Sequence, residues 1–497
     1  MKRLFAVWFA LVLPLAAAAQ STTDLNQAVS SITPDDVYSR VALLAHDSMM
    51  GRDTPSPGLD LTAEYIAAEF RRIGLQPGGD NGTFIQRYPL TQIHSALEVA
   101  VEGGEDLVAG RDVVQVDGAA AQHGATGQTV LITGSGELGN RFPIAGSVVL
   151  VAANYDPERR NLTEESQRLL AAIADRDPAA VFILADYPDR IWRFFARMQR
   201  PNQVVRGYVP SSQQGPPVLA VSPSAAVELL GMAPSTDGDL AVREINGLSI
   251  TVTANRTVSE TSAPNVVGIL EGSDPELKNE YIVYSGHMDH VGFRSGVTGD
   301  SIFNGADDNA SGTVGIIELA EAYAMLEPRP KRSMIFLLVS GEERGLWGSD
   351  HFANNPSVPV EQLVANFNAD MIGRNWADTI VVIGKEHSDL GATMNRVNGE
   401  HPELGMTAID DIWPNERFYY RSDHYKFAEK GVPILFFFNG VHEDYHRASD
   451  EVEKIDAEKM SRIVKLMFYL GVEVANAPER PKWDPDSYDR IVKRVTP

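Results

Sequence analysis

Residues 339–353 read VSGEERGLWGSDHFA, so Glu342 and Glu343 stand side by side directly after the apolar run Met334-Ile335-Phe336-Leu337-Leu338. On a strand, neighbouring side chains point to opposite faces. Past the strand's end they can be aimed separately, and two carboxylates can then do two different jobs. The same placement recurs along the second half of the chain. His287 and Asp289 follow YIVYSG, Asp307 and Asp308 stand in the loop NGADDNASG, Asp370 follows LVANFNA, and His442, Asp444 and His446 follow VPILFFFNG. A lone loop His or Asp is ordinarily solvated or a helix cap, but packing gives no reason for the set to recur at strand ends. There is no cysteine, and a His/Asp/Glu set suits zinc or another first-row divalent ion. Three carboxylates and two histidines exceed one tetrahedral zinc and suit two metals sharing a carboxylate, about 3.5–4 Å apart. One glutamate can then bind a metal while its neighbour stays available as a general base.

The elements that must position these groups are legible from Asn265 onward. Continuously apolar strands (YIVYSG, SMIFLLVSG, LVANFNADM, TIVVIG, VPILFFFNG) alternate with helical stretches at 312–325, 388–399, 422–430 and 456–475. That pattern predicts an α/β fold, a largely parallel mixed sheet with helices on both faces. In such sheets functional groups gather at the C-terminal strand ends; of these strands only TIVVIG supplies no candidate. Residues 33–75 read as helical, with Ile66, Phe70 and Ile73 on one face and Gly74 as a stop. Between 97 and 257 short β-rich runs are separated by Gly/Pro/Ser turns, with helical stretches at Glu164–Ala174 and inside 216–231 and no dense set of His and acidic residues. The expected division is a catalytic domain over 30–96 and 258–476, a β-rich insertion over 97–257, and a tail over 477–497.

Bulk properties bound the rest. A length of 497 residues suits two or three domains. A net charge of −24 without a Lys/Arg-rich run argues against a nucleic-acid partner. The start MKRLFAVWFALVLPLAAAAQ has a basic end, an apolar stretch and a small-residue run, which predicts a signal peptide over 1–19 cut after Ala19. Its apolar stretch is too short to span a bilayer, and no other segment approaches about 20 apolar residues. An exported chain without cysteine excludes disulfides and points to a soluble bacterial periplasmic or secreted protein.

HMDHVG, NGADDNASGT, SGEERGLWGSDHF, NADMIG and DYHRASD together resemble the signature set of the di-zinc aminopeptidases, which include bacterial leucyl aminopeptidases, aminopeptidase Y and the glutamate carboxypeptidases. The resemblance covers 265–475 and implies a zinc exopeptidase fold with two zinc ions per chain. It implies that His287 binds one zinc and His446 the other, that Asp308 bridges both, and that Glu343 and Asp370 complete one shell each. Glu342 would be the general base, acting on water shared by the metals, and Asp289 would orient the His287 ring. Asp307 as the bridge, or His442 in place of His446, are the alternatives of register. Tyr445 would donate to an oxyanion or simply pack there. IAGSVVLV, AAVFILAD and PPVLAVSPSAAVELL are similar to segments of a protease-associated domain. The expected substrates are peptides with a free N-terminus. The competing readings are a one-zinc glutaminyl cyclase, a carboxypeptidase using Arg374, Arg417 or Arg421, and a binding module that has lost its metals.

Overall fold

A computed structural model describes residues 25–118, 123–139, 142–199, 201–208, 215–294 and 298–493. The expected signal peptide lies outside the described residues, as do the last four residues of the tail. No helix of the described residues is long and apolar enough to cross a membrane. The chain forms two compact units, one from residues up to Pro89 together with Ser262 onward, the other from Leu90–Thr261. The borders expected at 97 and 257 fall inside two long strands, Ile85–Glu102 and Ala241–Leu270, through which the chain passes from one unit to the other.

The first unit is α/β. Its strands are β1 (Tyr281–His287), β2 (Ser333–Val339), β3 (Leu363–Asp370), β4 (Thr379–Ile383), β5 (Thr407–Ile409) and β6 (Ile434–Phe438). They lie in the order β5-β4-β6-β3-β1-β2, with Val266–Leu270 pairing antiparallel outside β2. β2, β1, β3 and β6 run parallel to one another. β4 runs antiparallel to β6. Its C-terminal end therefore lies at the opposite edge, which is why TIVVIG supplies no residue to the set at the other strand ends.

Alternate strand residues cover both faces, as continuously apolar strands require. Ile335, Leu337 and Val339 pack with Val283, Phe352, Phe427 and Phe436 on one side. On the other side Tyr284 stacks on Phe336 at 5.8 Å, and Tyr323, from α3 (Gly312–Ala324), reaches Phe468 of α7 (Ala457–Asn476) at 4.6 Å. The Tyr284 and Tyr323 hydroxyls meet at 2.8 Å. They fit only because residue 471 is glycine; a Cβ there would lie 1.6 Å from the Tyr284 hydroxyl. The N-terminal helices α1 (Pro34–Leu44) and α2 (Pro57–Ile73) begin at Thr33 and Ser56, whose hydroxyls accept from backbone N–H groups of the first turn. Further helices of this unit are α4 (Trp347–Asn354), α5 (Leu390–Glu400), α6 (His424–Ala428) and α8 (Pro485–Ile491).

The second unit has its own set of parallel strands. Ala125–Thr133, Val148–Ala152, Ala180–Leu184 and Val218–Val221 are parallel neighbours, and Val113–Asp117 closes one edge antiparallel. Leu131, Leu150, Phe182 and Leu219 fill one face. Val149, Val151 and Val181 meet Leu169 and Ile173 of Glu164–Ala174 on the other. A helix over Asp189–Met198 joins the stretches expected from the sequence.

A buried ion cluster fastens α1 and α2 to α3. Arg40 donates to Glu318, whose side chain is 2% exposed, to Glu321 at 2.6 Å and to Glu69 at 3.2 Å. Burial raises the Glu318 carboxyl to about 7, against the pull of Arg40. The unfolded carboxyl titrates near 4.5, so the folded state binds this proton more tightly and the cost of ionising it accumulates as pH rises from about 4.5 to about 7. Arg40→Met should therefore cost about 3 kcal/mol at pH 8, as expected when one partner of a buried pair is removed. The loss should be clearly smaller at pH 5, where Glu318 is protonated. Denaturant titrations at the two pH values check this, and equal losses would contradict it.

Candidate metal centre

Four parallel strands end on one edge, and the loops leaving them bring the expected residues together. β1 ends at His287, whose Nδ1 lies 3.2 Å from the Asp289 carbonyl oxygen. That contact turns Nε2 toward Asp308 Oδ1 at 3.5 Å and Asp370 Oδ1 at 3.3 Å. The other oxygen of Asp308 faces a different group: Oδ2 lies 3.2 Å from His446 Nε2 and 3.7 Å from His290 Nδ1. Glu343 completes that group, with Oε1 2.9 Å from His290 Nδ1 and Oε2 3.0 Å from His446 Nε2. Two donor sets result, His287/Asp308/Asp370 and His290/Asp308/Glu343/His446, and they share one carboxylate.

Asp307 turns away. Its Oδ1 accepts the Gly373 N–H at 2.6 Å and its Oδ2 lies 3.2 Å from His442 Nε2, so neither Asp307 nor His442 enters either set. Asp444 accepts from Lys454, Ser449 and Arg374. Asp289 acts on His287 through its carbonyl; its carboxylate, 3.7 Å from that ring, accepts from Thr54 at 2.9 Å and from the Glu342 N–H at 3.3 Å. Glu342, Tyr445 and Arg421 line a cleft, together with His287, Asp308 and Asp370 and the apolar Met371, Phe418, Phe436, Phe438 and Val441. The Tyr445 ring lies against His446 at 3.9 Å. Burial, then the carboxylates around it, push the Tyr445 phenol up, so it stays protonated and able to donate. Ser422 donates to Asp370 at 3.0 Å.

Sequence reasoning missed His290, Ser422 and Asp450. His290 stands three residues after His287 inside HMDHVG, and Asp450 closes DYHRASD, so both lay inside motifs already singled out. The Asp450 carboxylate accepts the Asp307 and Asp308 N–H groups, each at 3.1 Å, and so fixes the bridging loop. Gly305 is the glycine this loop requires: its φ is +56°, and a Cβ would meet Asp308 O at 2.2 Å and the His290 ring at 2.5 Å. Arg52, 1% exposed, donates to the carbonyls of Leu44, Met288, Asn304 and Gly305. The backbone is left-handed at the non-glycine residues Arg52, Met371 and His446, the kind of strain that collects at functional sites.

The donors fit cations. Two ligands about 2.0–2.2 Å from one tetrahedral zinc stand roughly 3.3–3.6 Å apart, close to the separations above. Among the described residues, Glu343 Oε1, Asp370 Oδ1 and both ring nitrogens of His290 are buried with no hydrogen-bond partner. Burial raises the Asp308 carboxyl, Glu343 raises it further, and His290 and His446 oppose both. Burial likewise lifts the Asp289 carboxyl to about 6 and that of Asp423 to about 7. Such crowding costs free energy unless cations lie among the carboxylates.

Two donor sets that share one carboxylate thus stand at the strand ends of an α/β sheet. Residues 265–471 match the model of peptidase family M28. The chain is 26% identical over 280 residues to aminopeptidase YwaD of Bacillus subtilis, covering 51% of this chain and 56% of that protein. It is 27% identical over 361 residues to a probable zinc metalloprotease of Pyricularia oryzae, covering 62% and 66%. It thus spans between 56% and 66% of the length of these two relatives. The solved aminopeptidase of Aneurinibacillus sp. strain AM-1 shares the fold, with a TM-score of 0.50 at 18% identity over 93% of this chain and 98% of that one.

Asp450→Ala would strand two N–H groups behind the bridge and free Asp308 to move. It should lower cation affinity by about 10–100-fold, the usual cost of losing a partner that orients a ligand. Competition with a chromophoric chelator reads this, and unchanged affinity would show that Asp450 does not set the bridge.

Proposed function

We propose that the chain is an exported zinc-dependent aminopeptidase that removes N-terminal residues from peptides. The observation that carries this reading is Asp308, whose two oxygens face two separate donor sets, with Glu342 beside them on the cleft wall. His287 and Asp370 would hold one zinc, Glu343 and His446 the other, and Asp308 both. Zinc at such a centre lowers the pKa of bound water and stabilises developing negative charge on a carbonyl oxygen. Glu342 belongs to neither donor set, so its carboxylate is left to accept the proton of the attacking water and return it to the departing amine. Its backbone is held by Asp289, which limits where that carboxylate can reach. Tyr445, protonated on the cleft wall, is placed to donate to the oxyanion.

The apolar wall of Met371, Phe418, Phe436, Phe438 and Val441 suits an apolar N-terminal side chain. One observation favours a second reading: Arg421 also lines the cleft and could pair with a substrate carboxylate, as a carboxypeptidase or dipeptidase requires. Arg374 is tied to Asp444 at 3.0 Å, and Arg417 lies over the Tyr420 ring. Leu90–Thr261 is the region we assign to a protease-associated domain, in agreement with the segments that resemble one. The basic and apolar N-terminus supports export to the periplasm or medium, and a net charge of −24 disfavours nucleic acid.

Glu342→Gln should keep both metals yet lower turnover of an aminoacyl chromogenic substrate by at least about 10²–10⁴-fold. Glu343→Gln should lose metal along with activity. Metal content and rate on the same samples test both, and the opposite pattern would reverse the two roles. Hydrolysis of N-blocked peptides in preference to free ones would favour the carboxypeptidase reading.

A further inference from the structure

We propose that His290 is a fourth ligand from the chain to the cation at Glu343 and His446, and that this position binds its cation more tightly than the three-donor position at His287. The inference rests on the two-zinc reading above and adds an imidazole that the five expected ligands lack.

His290 is fully buried, and among the described residues neither ring nitrogen has a hydrogen-bond partner. A buried imidazole without a partner is costly. Its Nδ1 lies 2.9 Å from Glu343 Oε1, yet the two atoms do not meet the geometry of a hydrogen bond. Donors that stand close without pointing at each other point at a common third atom. Asp308 Oδ2 at 3.7 Å and the His446 ring, 5.6 Å away and steeply inclined at 71°, face the same spot. All four donor atoms lie within 4.8 Å of one another. Gly305 packs so closely on the ring that a Cβ there would lie 2.5 Å from it.

The two positions therefore differ in kind. Four chain donors satisfy a zinc ion's ordinary coordination number, as in sites that keep their metal permanently, whereas three leave a place for water or substrate. The cleft agrees with this division. It is lined by His287, Asp308, Asp370 and Glu342, the three-donor set and the proposed base. His290 and Glu343 lie buried, with side chains 0% and 8% exposed. Substrate thus meets the three-donor position, and the four-donor position anchors the shared Asp308 from behind.

The test uses the full-length mature protein and Zn²⁺. Wild type should saturate at two zinc ions, and a graded chelator should remove one well before the other, read as metal content by mass spectrometry. X-ray absorption at the zinc edge should count three imidazoles over two metals. His290→Phe keeps a ring of similar size without donor atoms. It should weaken the tighter position by more than the roughly 100-fold that bounds the loss of an orienting partner, so that both ions leave together. A count of two imidazoles in wild type, or a loss under about 10-fold in the variant, would overturn the assignment of His290. Saturation of wild type at one ion would overturn the two-zinc reading instead. Should His290→Phe fail to fold, seen as a lost melting transition in the metal-free protein, the imidazole count on wild type decides.

Discussion

Negative charge buried at one sheet edge is the constraint on which the rest of the first unit depends. Asp289, Asp308, Glu343 and Asp370 crowd together with side chains no more than 10% exposed, and Glu342 and Asp423 stand beside them. The buried cation nearby, Arg52, spends its hydrogen bonds on backbone carbonyls. Its guanidinium offsets only part of the repulsion, and burial lowers its own pKa to about 10. An assembly of this kind is stable only when its oxygens converge on cations, which explains why so many backbone bonds serve to aim them. Asp450 holds the bridge, Ser422 holds Asp370, and Asn309 ties the Ala369 carbonyl and the Met371 and Gly312 N–H groups to one loop.

The parallel strands convert that constraint into geometry. β1, β2, β3 and β6 each end beside the next, so residues up to 159 positions apart in the chain, such as His287 and His446, arrive at one edge. Rigid strand ends fix His287 and Asp370, while the longer loops after β1 and β6 bring in His290 and His446. The helix α3 starts directly behind the bridging loop, and its Thr313 hydroxyl accepts its place by donating to the His287 carbonyl at 2.8 Å.

Much of this was legible in the sequence, because unbroken apolar strands and polar groups at their ends are local signals. Glu342 and Glu343 were separable as soon as they were seen to lie past a strand. Other features depend on what the chain pattern does not encode. TIVVIG looks like its neighbours, yet strand direction is set by its connection and not by its composition. Asp307 and Asp308 differ by one residue of register, and only in space does Asp307 face the Gly373 N–H and His442 while Asp308 faces the two donor sets. His290 was hidden because spacing alone does not show that its ring stands beside Asp308, Glu343 and His446. The strand Ala241–Leu270 was illegible over Asn255–Glu260 because its residues there are exposed and, Val258 apart, polar, leaving no apolar rhythm.

The bonds of Arg52 also govern when the centre can exist. Three of its four carbonyl partners lie 236, 252 and 253 residues further along the chain. A ribosome adding about 5–20 residues per second leaves this arginine waiting tens of seconds for them, and His446 emerges later still. Throughout that interval the nascent polypeptide carries neither donor set in full.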